Sequence, residues 1–206
     1  HSSMLIHVTR FTIVQKEVHR QVEDFVQKMK LRIARRIDHE ALLSELRTLW
    51  ESDFVPTTKA IASTLTDSEE PPNVLVWADV LAKLPDALSD IDVRMVNGKA
   101  KDALDYAEKG PKGLKVIAIG GDKLARGLTL EGLCTSYFVR TTKMYDTLMQ
   151  MGRWFGYRPG YIDLCRLYTT EELVEWFGHI ADASEELREE FDAMAESGAT
   201  PRDYGL

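Results

Sequence analysis

The run "LKVIAIGG", Leu114 to Gly121, sets apolar side chains at nearly every position, admits one lysine and closes on two glycines. A strand with one wet face alternates polar and apolar residues; this one does not. It reads as a strand covered on both faces, the pattern of a parallel sheet. The glycine pair marks where the chain leaves that strand. Four further runs share the character: "MLIHVTR" (4–10), "VRMVNG" (93–98), "SYFVRT" (136–141) and "IDLCRLY" (162–168).

Helical periodicity fills the intervals. Val14, Val18, Val22, Phe25 or Val26, Met29 and Ile33 recur every three or four residues, a long amphipathic helix with Thr12 and Gln15 at capping-box spacing. Asp38 is placed to cap a second helix faced by Leu42, Leu43, Leu46, Leu49 and Trp50, which should end before Pro56. A short helix around "TKAIASTL", another over "VLVWADVLAKL" and one over "KMYDTLMQMGRWFGY" follow. Thr169 and Glu172 have capping-box spacing before a last helix faced by Leu173, Trp176, Phe177 and Ile180. Apolar strands alternating with helices predict a three-layer α/β domain with a mostly parallel sheet. Residues 1–206 are expected to form one domain, with 37–90 as a helical insertion.

Composition narrows the function. The 206 residues carry a net charge of −7, which argues against a generally basic nucleic-acid binder. The average conceals a division. Residues 170–206 hold eleven Asp/Glu and two Lys/Arg, leaving 24 basic and 22 acidic groups in residues 1–169. A local basic groove is therefore compatible with the acidic total. Cys134 and Cys165 lie far apart with no ligand-spaced His or Cys, so they read as small reduced core residues in a cytoplasmic protein. No eighteen-residue apolar run predicts a membrane span. A start without Met suggests a piece of a longer protein.

The chemistry concentrates where strands end. In open parallel sheets ligands bind at the carboxyl ends of the strands. There lie Thr9 and Arg10, the segment "GGDKLARGLTLEGL" (120–133), and the arginine-bearing "QMGRWFGYR" (150–158). Gly120 and Gly121 allow backbone N–H groups to approach an anion. No GxxxxGK[ST] or GxGxxG string occurs in the chain. His7, inside an apolar strand, reads as a core residue. Asp90 and Asp92 precede a strand, but no acid–acid–Lys set of the kind that holds Mg²⁺ follows.

Taken together, the two glycine- and arginine-bearing segments resemble motifs V and VI of superfamily 2 helicases. Motif V reads roughly Thr-Asp-x-x-Ala-Arg-Gly-x-Asp-x-x-Gly, and Asp122, Ala125, Arg126, Gly127 and Gly132 fall in register with it. Motif VI reads Gln-x-x-Gly-Arg-x-x-Arg, matched by Gln150, Gly152, Arg153 and Arg158. "MLIHVTRFTIVQ" looks like motif IV. More narrowly, "SMLIHVTRFT" with these two blocks resembles the Z-one domain family, described as a candidate endonuclease and attached to helicase-like ATPases in bacterial and phage proteins. Three departures stand out. Gly121 replaces a usual Thr, Thr129 replaces a usual Asp, and the Gln150-to-Gly152 and Arg153-to-Arg158 spacings differ from the motif.

The resemblance implies a RecA-like fold: the second such domain of an ATP-dependent enzyme acting on nucleic acid, DNA rather than RNA. It implies Arg153 first, and Arg158 second, as the arginine finger. Gly127, Thr129, Gln150 and Gly152 would line the nucleotide. Arg10, Gly120, Gly121, Asp122, Lys123, Arg126 and Lys143 would meet the nucleic-acid strand. Trp154 and Phe155 would pack rather than stack on adenine, and Arg126 has the alternative of a salt bridge to motif VI. ATP and Mg²⁺ would be shared with an upstream RecA-like ATPase domain, with no metal held by this chain itself. The alternatives are an endonuclease module with its own metal site, or a non-catalytic adaptor that kept the fold.

Overall fold

The computed structural model describes residues 1–9, 11–65, 72–96, 113–121, 130–139 and 160–198. Five parallel strands form one sheet: β1 (Ser2–His7), β2 (Ile91–Val96), β3 (Lys115–Gly120), β4 (Leu133–Phe138) and β5 (Arg166–Tyr168), in the order β2-β3-β1-β4-β5. The helices are α1 (Thr12–Arg35), α2 (His39–Leu49), α3 (Val55–Thr64), α4 (Trp77–Ser89) and α5 (Glu171–Ser197). An all-parallel sheet with helices between its strands is the α/β arrangement that the apolar runs predicted. Helices α2 to α4 occupy the stretch between α1 and β2.

In β1 and β3 the apolar runs become strands whose carboxyl halves leave neither face to water. Leu5, Ile6 and His7 are all buried in β1, as are Ala118, Ile119 and Gly120 in β3. Partners side by side in a parallel ladder share a face. Leu5 therefore lies with Ala118 and Ser136, and His7 with Gly120 and Phe138. Gly120 presents no side chain there, and the His7 ring instead lies 5.1 Å from the Phe138 ring. His7 is fully buried, as expected of a core residue. Leu5, Val96, Leu114, Val116, Ala118, Leu130 and Leu133 form the main apolar cluster. A second joins Phe138 to Leu173, with Trp176, Phe177 and Ile180 of α5 packed on it.

Helix α1 lies along β2. Lys30 Nζ donates to the carbonyls of Ser89 (3.1 Å) and Ile91 (2.6 Å), and His19 Nε2 to that of Val93 (3.2 Å). Asp92 pairs with Arg94 at 2.8 Å and Asp90 with Lys115 at 3.2 Å, so both carboxylates are engaged by cations.

The local signals needed correction. Thr12 does not cap α1; the cap position is Phe11, without a side-chain bond, and Gln15 Nε2 donates to the Thr9 carbonyl at 2.9 Å. Asp38 holds the cap position of α2 in a left-handed conformation (φ 47°), and its carbonyl, not its carboxylate, is engaged, by Arg32. The cap of α5 is Thr170, one residue after the expected Thr169, accepting from the Leu173 N–H at 3.3 Å.

The second helix does end before Pro56, at Leu49. A π-turn, Trp50–Phe54, intervenes, with the Val55 N–H bonded to the Trp50 carbonyl, and Pro56 then sits in the first turn of α3. A first turn needs no proline N–H, which is why the chain can continue. Strand boundaries moved as well. β4 begins at Leu133, directly after the positive-φ Gly132 (66°), and β5 keeps only three residues because Ile162–Leu164 forms a 3-10 turn. Val74–Val76 is not helical, and α4 runs from Trp77 through Pro85 to Ser89.

The π-turn carries the contact that brings α3 to the opposite sheet edge from α1. Arg166 Nε donates to both Asp53 oxygens, at 3.1 and 3.0 Å, and Nη1 donates to the carbonyls of Asp163 (2.9 Å) and Cys165 (2.8 Å). The guanidinium lies 4.3 Å from the centre of the Phe54 ring, whose other neighbour is the stacked Trp50. Thr58 Oγ1 donates to Asp163 Oδ2 at 2.8 Å. The hydrogen bonds from Arg166 hold the Asp53 carboxyl below its ordinary range, against a smaller opposing effect of burial.

A folded-state pKa below the unfolded one, about 3.9 for Asp, gives stability that is present above that value and lost as pH falls through the folded pKa. Asp53→Asn should therefore flatten the acid limb of a urea-midpoint series run from pH 6 to pH 3. A limb as steep as that of the parent would show that this pair does not couple to folding.

Candidate functional site at the carboxyl edge of the sheet

Strand β1 lies at the centre, where the order of the sheet reverses. The chain runs from β1 out to β2, returns through β3 on one side of β1, and continues to β4 and β5 on the other. Parallel sheets place their ligand crevice outside the carboxyl ends at such a reversal. Here that point is built from the ends of β1, β3 and β4.

The Val8 N–H donates to the Gly120 carbonyl at 2.8 Å, which extends the β1–β3 pairing past the last strand residue. Gly120 and Gly121 are buried. The β1–α1 turn is tightened by the Phe11 N–H bonded to Thr9 Oγ1 (3.3 Å) and by Gln15 on the Thr9 carbonyl. The first backbone bond of α1 runs from Gln15 to the Phe11 carbonyl at 3.1 Å, so the N–H groups of residues 12–14 have no partner within the helix. No acidic residue sits in that first turn. The helix therefore directs uncompensated positive partial charge to the carboxyl edge, where an anion is favoured. Gln15 is buried beside it, and its Oε1 has no hydrogen-bond partner among the described residues.

Of the residues expected to act, Gly120 and Gly121 stand at this edge. Arg10, Asp122, Lys123, Arg126, Gly127, Thr129, Lys143, Gln150, Gly152, Arg153 and Arg158 lie outside the described residues, as do Trp154 and Phe155. Chain connectivity alone constrains them: 122–129 begins directly after Gly121 at the end of β3, and 140–159 begins after Val139 at the end of β4.

Two features escaped the sequence reading. The uncapped start of α1 was hidden by a Thr12–Gln15 spacing that mimics a cap. The Asp53–Arg166 contact joins residues 113 positions apart, which no local pattern reports. No group of three or more His, Cys, Asp or Glu among the described residues could hold a metal ion. Cys134 and Cys165 are free thiols. Burial, more than the neighbouring Cys134, pushes the Cys165 thiol up, the reverse of what a nucleophilic thiolate requires. No helix among the described residues is long and apolar enough to cross a membrane.

Comparison with known proteins adds three findings. The family model for the Z1 domain matches residues 1–206. Among curated proteins, the chain is similar to a beta-ketoadipyl-CoA thiolase of Escherichia coli, 28% identical over 130 residues, which covers 62% of this chain and 31% of that protein. It is similar to the same extent, 28% over 130 residues, to the 3-oxoadipyl-CoA/3-oxo-5,6-dehydrosuberyl-CoA thiolase of Escherichia coli strain K12. The match spans under a third of each of these relatives, at 31%. No solved structure matches.

Proposed function

The chain belongs to the Z1 domain family, and from that premise we propose that it is the second RecA-like domain of an ATP-dependent enzyme acting on nucleic acid, DNA in the first instance. One observation carries the reading. The segment that resembles helicase motif V leaves the sheet directly at the carboxyl end of β3, beside the central β1, and the one that resembles motif VI follows in the connection between β4 and β5. The first of these starts beside the crevice where an α/β sheet takes its ligand.

In this reading Arg153 reaches the γ-phosphate of ATP, with Arg158 beside it; Gly127, Thr129, Gln150 and Gly152 line the nucleotide. Arginine suits the task because it stays charged and its planar fork grips phosphate oxygens. ATP with Mg²⁺ supplies the cleavable phosphoanhydride. Its phosphate loop and metal-binding acid belong to an upstream RecA-like domain. Gly120 and Gly121, with Arg10, Asp122, Lys123, Arg126 and Lys143, follow the nucleic-acid backbone. Its phosphates favour the electropositive edge that the start of α1 provides.

The full-length protein is expected to hydrolyse ATP faster with DNA than without it, and the 206-residue chain alone to show no turnover. Turnover by the chain alone would sink the shared-site reading. Supercoiled plasmid incubated with the chain and Mg²⁺ or Mn²⁺ should remain intact, whereas nicking would favour an endonuclease module.

A further inference from the structure

Cys134 and Cys165 are distant in sequence but neighbours at the amino edge of the sheet. Strands β4 and β5 run parallel with Thr135 beside Arg166, so one step earlier the ladder sets Cys134 beside Cys165. Cys165 keeps extended backbone there (φ −73°, ψ 131°), which carries the register back past the first residue of β5. Adjacent strands lie about 4.8 Å apart, inside the range of about 4.4–6.8 Å between Cα atoms that a disulfide spans. Both thiols are free and half-buried.

A bulge sets Cys134 apart from an ordinary strand residue. Ser3 pairs with Leu133 and Met4 with Thr135, so Cys134 is the extra residue that β4 inserts against β1. Such a residue is re-aimed relative to the pleat. Its Sγ donates to the Ser3 carbonyl at 3.5 Å and lies 3.6 Å from Ser2 Oγ. The Cys165 Sγ donates to the Tyr161 carbonyl at 3.5 Å, within its own turn. Thiols are weak donors, so rotation of the two side chains toward each other gives up little. The two groups already sense each other. Burial pushes the Cys165 thiol up, the neighbouring Cys134 adds to this, and Arg166 opposes it less strongly.

We propose that Cys134 and Cys165 form a reversible intramolecular disulfide when the protein meets a peroxide, a thiol switch that ties β4 to β5. Cys134 reacts first, because burial withholds the Cys165 thiolate. Its sulfur attacks one peroxide oxygen; the S–O bond forms, the O–O bond breaks and the second oxygen leaves as water. The Cys165 sulfur then attacks the sulfenic sulfur, the S–O bond breaks, and that oxygen leaves as water with the thiol proton. Two thiols are oxidised by two electrons in all and one peroxide is reduced. The bond closes a loop over residues 135–164, joining the two strands between which the arginine-bearing segment 150–158 runs. This inference is independent of the ATPase reading.

The test treats the 206-residue chain, dilute and reduced, with hydrogen peroxide, then counts thiols and maps linked peptides by mass spectrometry. Both thiols should vanish together in a monomer lighter by two hydrogens, with the peptides of Cys134 and Cys165 joined. Dithiothreitol should restore both. In the Cys165→Ser chain, Cys134 should stop as a sulfenic acid that dimedone traps. Unfolding in urea should slow the linkage at least about tenfold, since the fold supplies the proximity. Linkage as fast in urea as in the folded chain would overturn the proposal. So would oxidation that leaves one thiol free, that joins two chains, or that spares both thiols while free glutathione is consumed.

Discussion

Replacing Arg153 with alanine in the full-length protein is expected to lower DNA-stimulated ATP turnover by about 10³–10⁵, the usual contribution of an arginine finger, while nucleotide binding is little changed. The separation follows from where charge appears. The ground-state triphosphate is held mainly by the upstream domain, whereas the finger meets charge that spreads over the γ-phosphoryl oxygens only as transfer proceeds. Removing it should therefore reduce kcat far more than it raises KM. Arg153→Lys should recover little, because an ammonium lacks the planar fork. The spacing to Arg158 departs from the helicase pattern, so Arg158→Ala belongs in the same experiment. The larger loss identifies the finger, and normal turnover in both variants sinks the proposed function.

How much of this was legible beforehand depended on the range over which each signal acts. Buried parallel strands write themselves into consecutive residues, so "LKVIAIGG" and "MLIHVTR" reported β3 and β1 without any tertiary information. The long helices did the same through their spacing. End signals were weaker guides, because a threonine or aspartate caps only if the chain brings its oxygen to the right N–H. Thr12 and Thr169 stand one residue from the cap positions, which Phe11 and Thr170 hold, and Asp38 stands at its cap position without a side-chain cap bond. Pro56 was a sound guide: α2 stops at Leu49, and a π-turn leads into an α3 that holds the proline in its first turn. The Asp53–Phe54–Arg166 contact could not be foreseen at all, since Arg166 sits in an ordinary strand run and its partners are 113 residues away. At the carboxyl edge, Gly120 closes β3 beside β1, as the two glycines at the end of the apolar run suggested.

Phe138→Ala should be the most damaging truncation in the described core, costing about 3–5 kcal/mol, or about 6–20 °C in Tm for a chain of this size. Phe138 closes β4, is 1% exposed, and lies 5.1 Å from the His7 ring and 6.4 Å from that of Phe177. It is thus the residue through which α5 is seated on the central strands, with Leu173 packed against it. Alanine there opens a cavity between sheet and helix that neither backbone can readily close. The His7 ring loses its aromatic neighbour, and on the opposite side Gly120 offers no side chain to take up the space. Leu187→Ala on the same helix provides the comparison. Its side chain is exposed, so the change should stay within about 0.5 kcal/mol. Urea unfolding of the two variants thus separates the half of α5 that builds the fold from the exposed half. Similar losses from both would place the second half within the folded core. A negligible loss from Phe138→Ala would mean that α5 is not held to the sheet through this cluster.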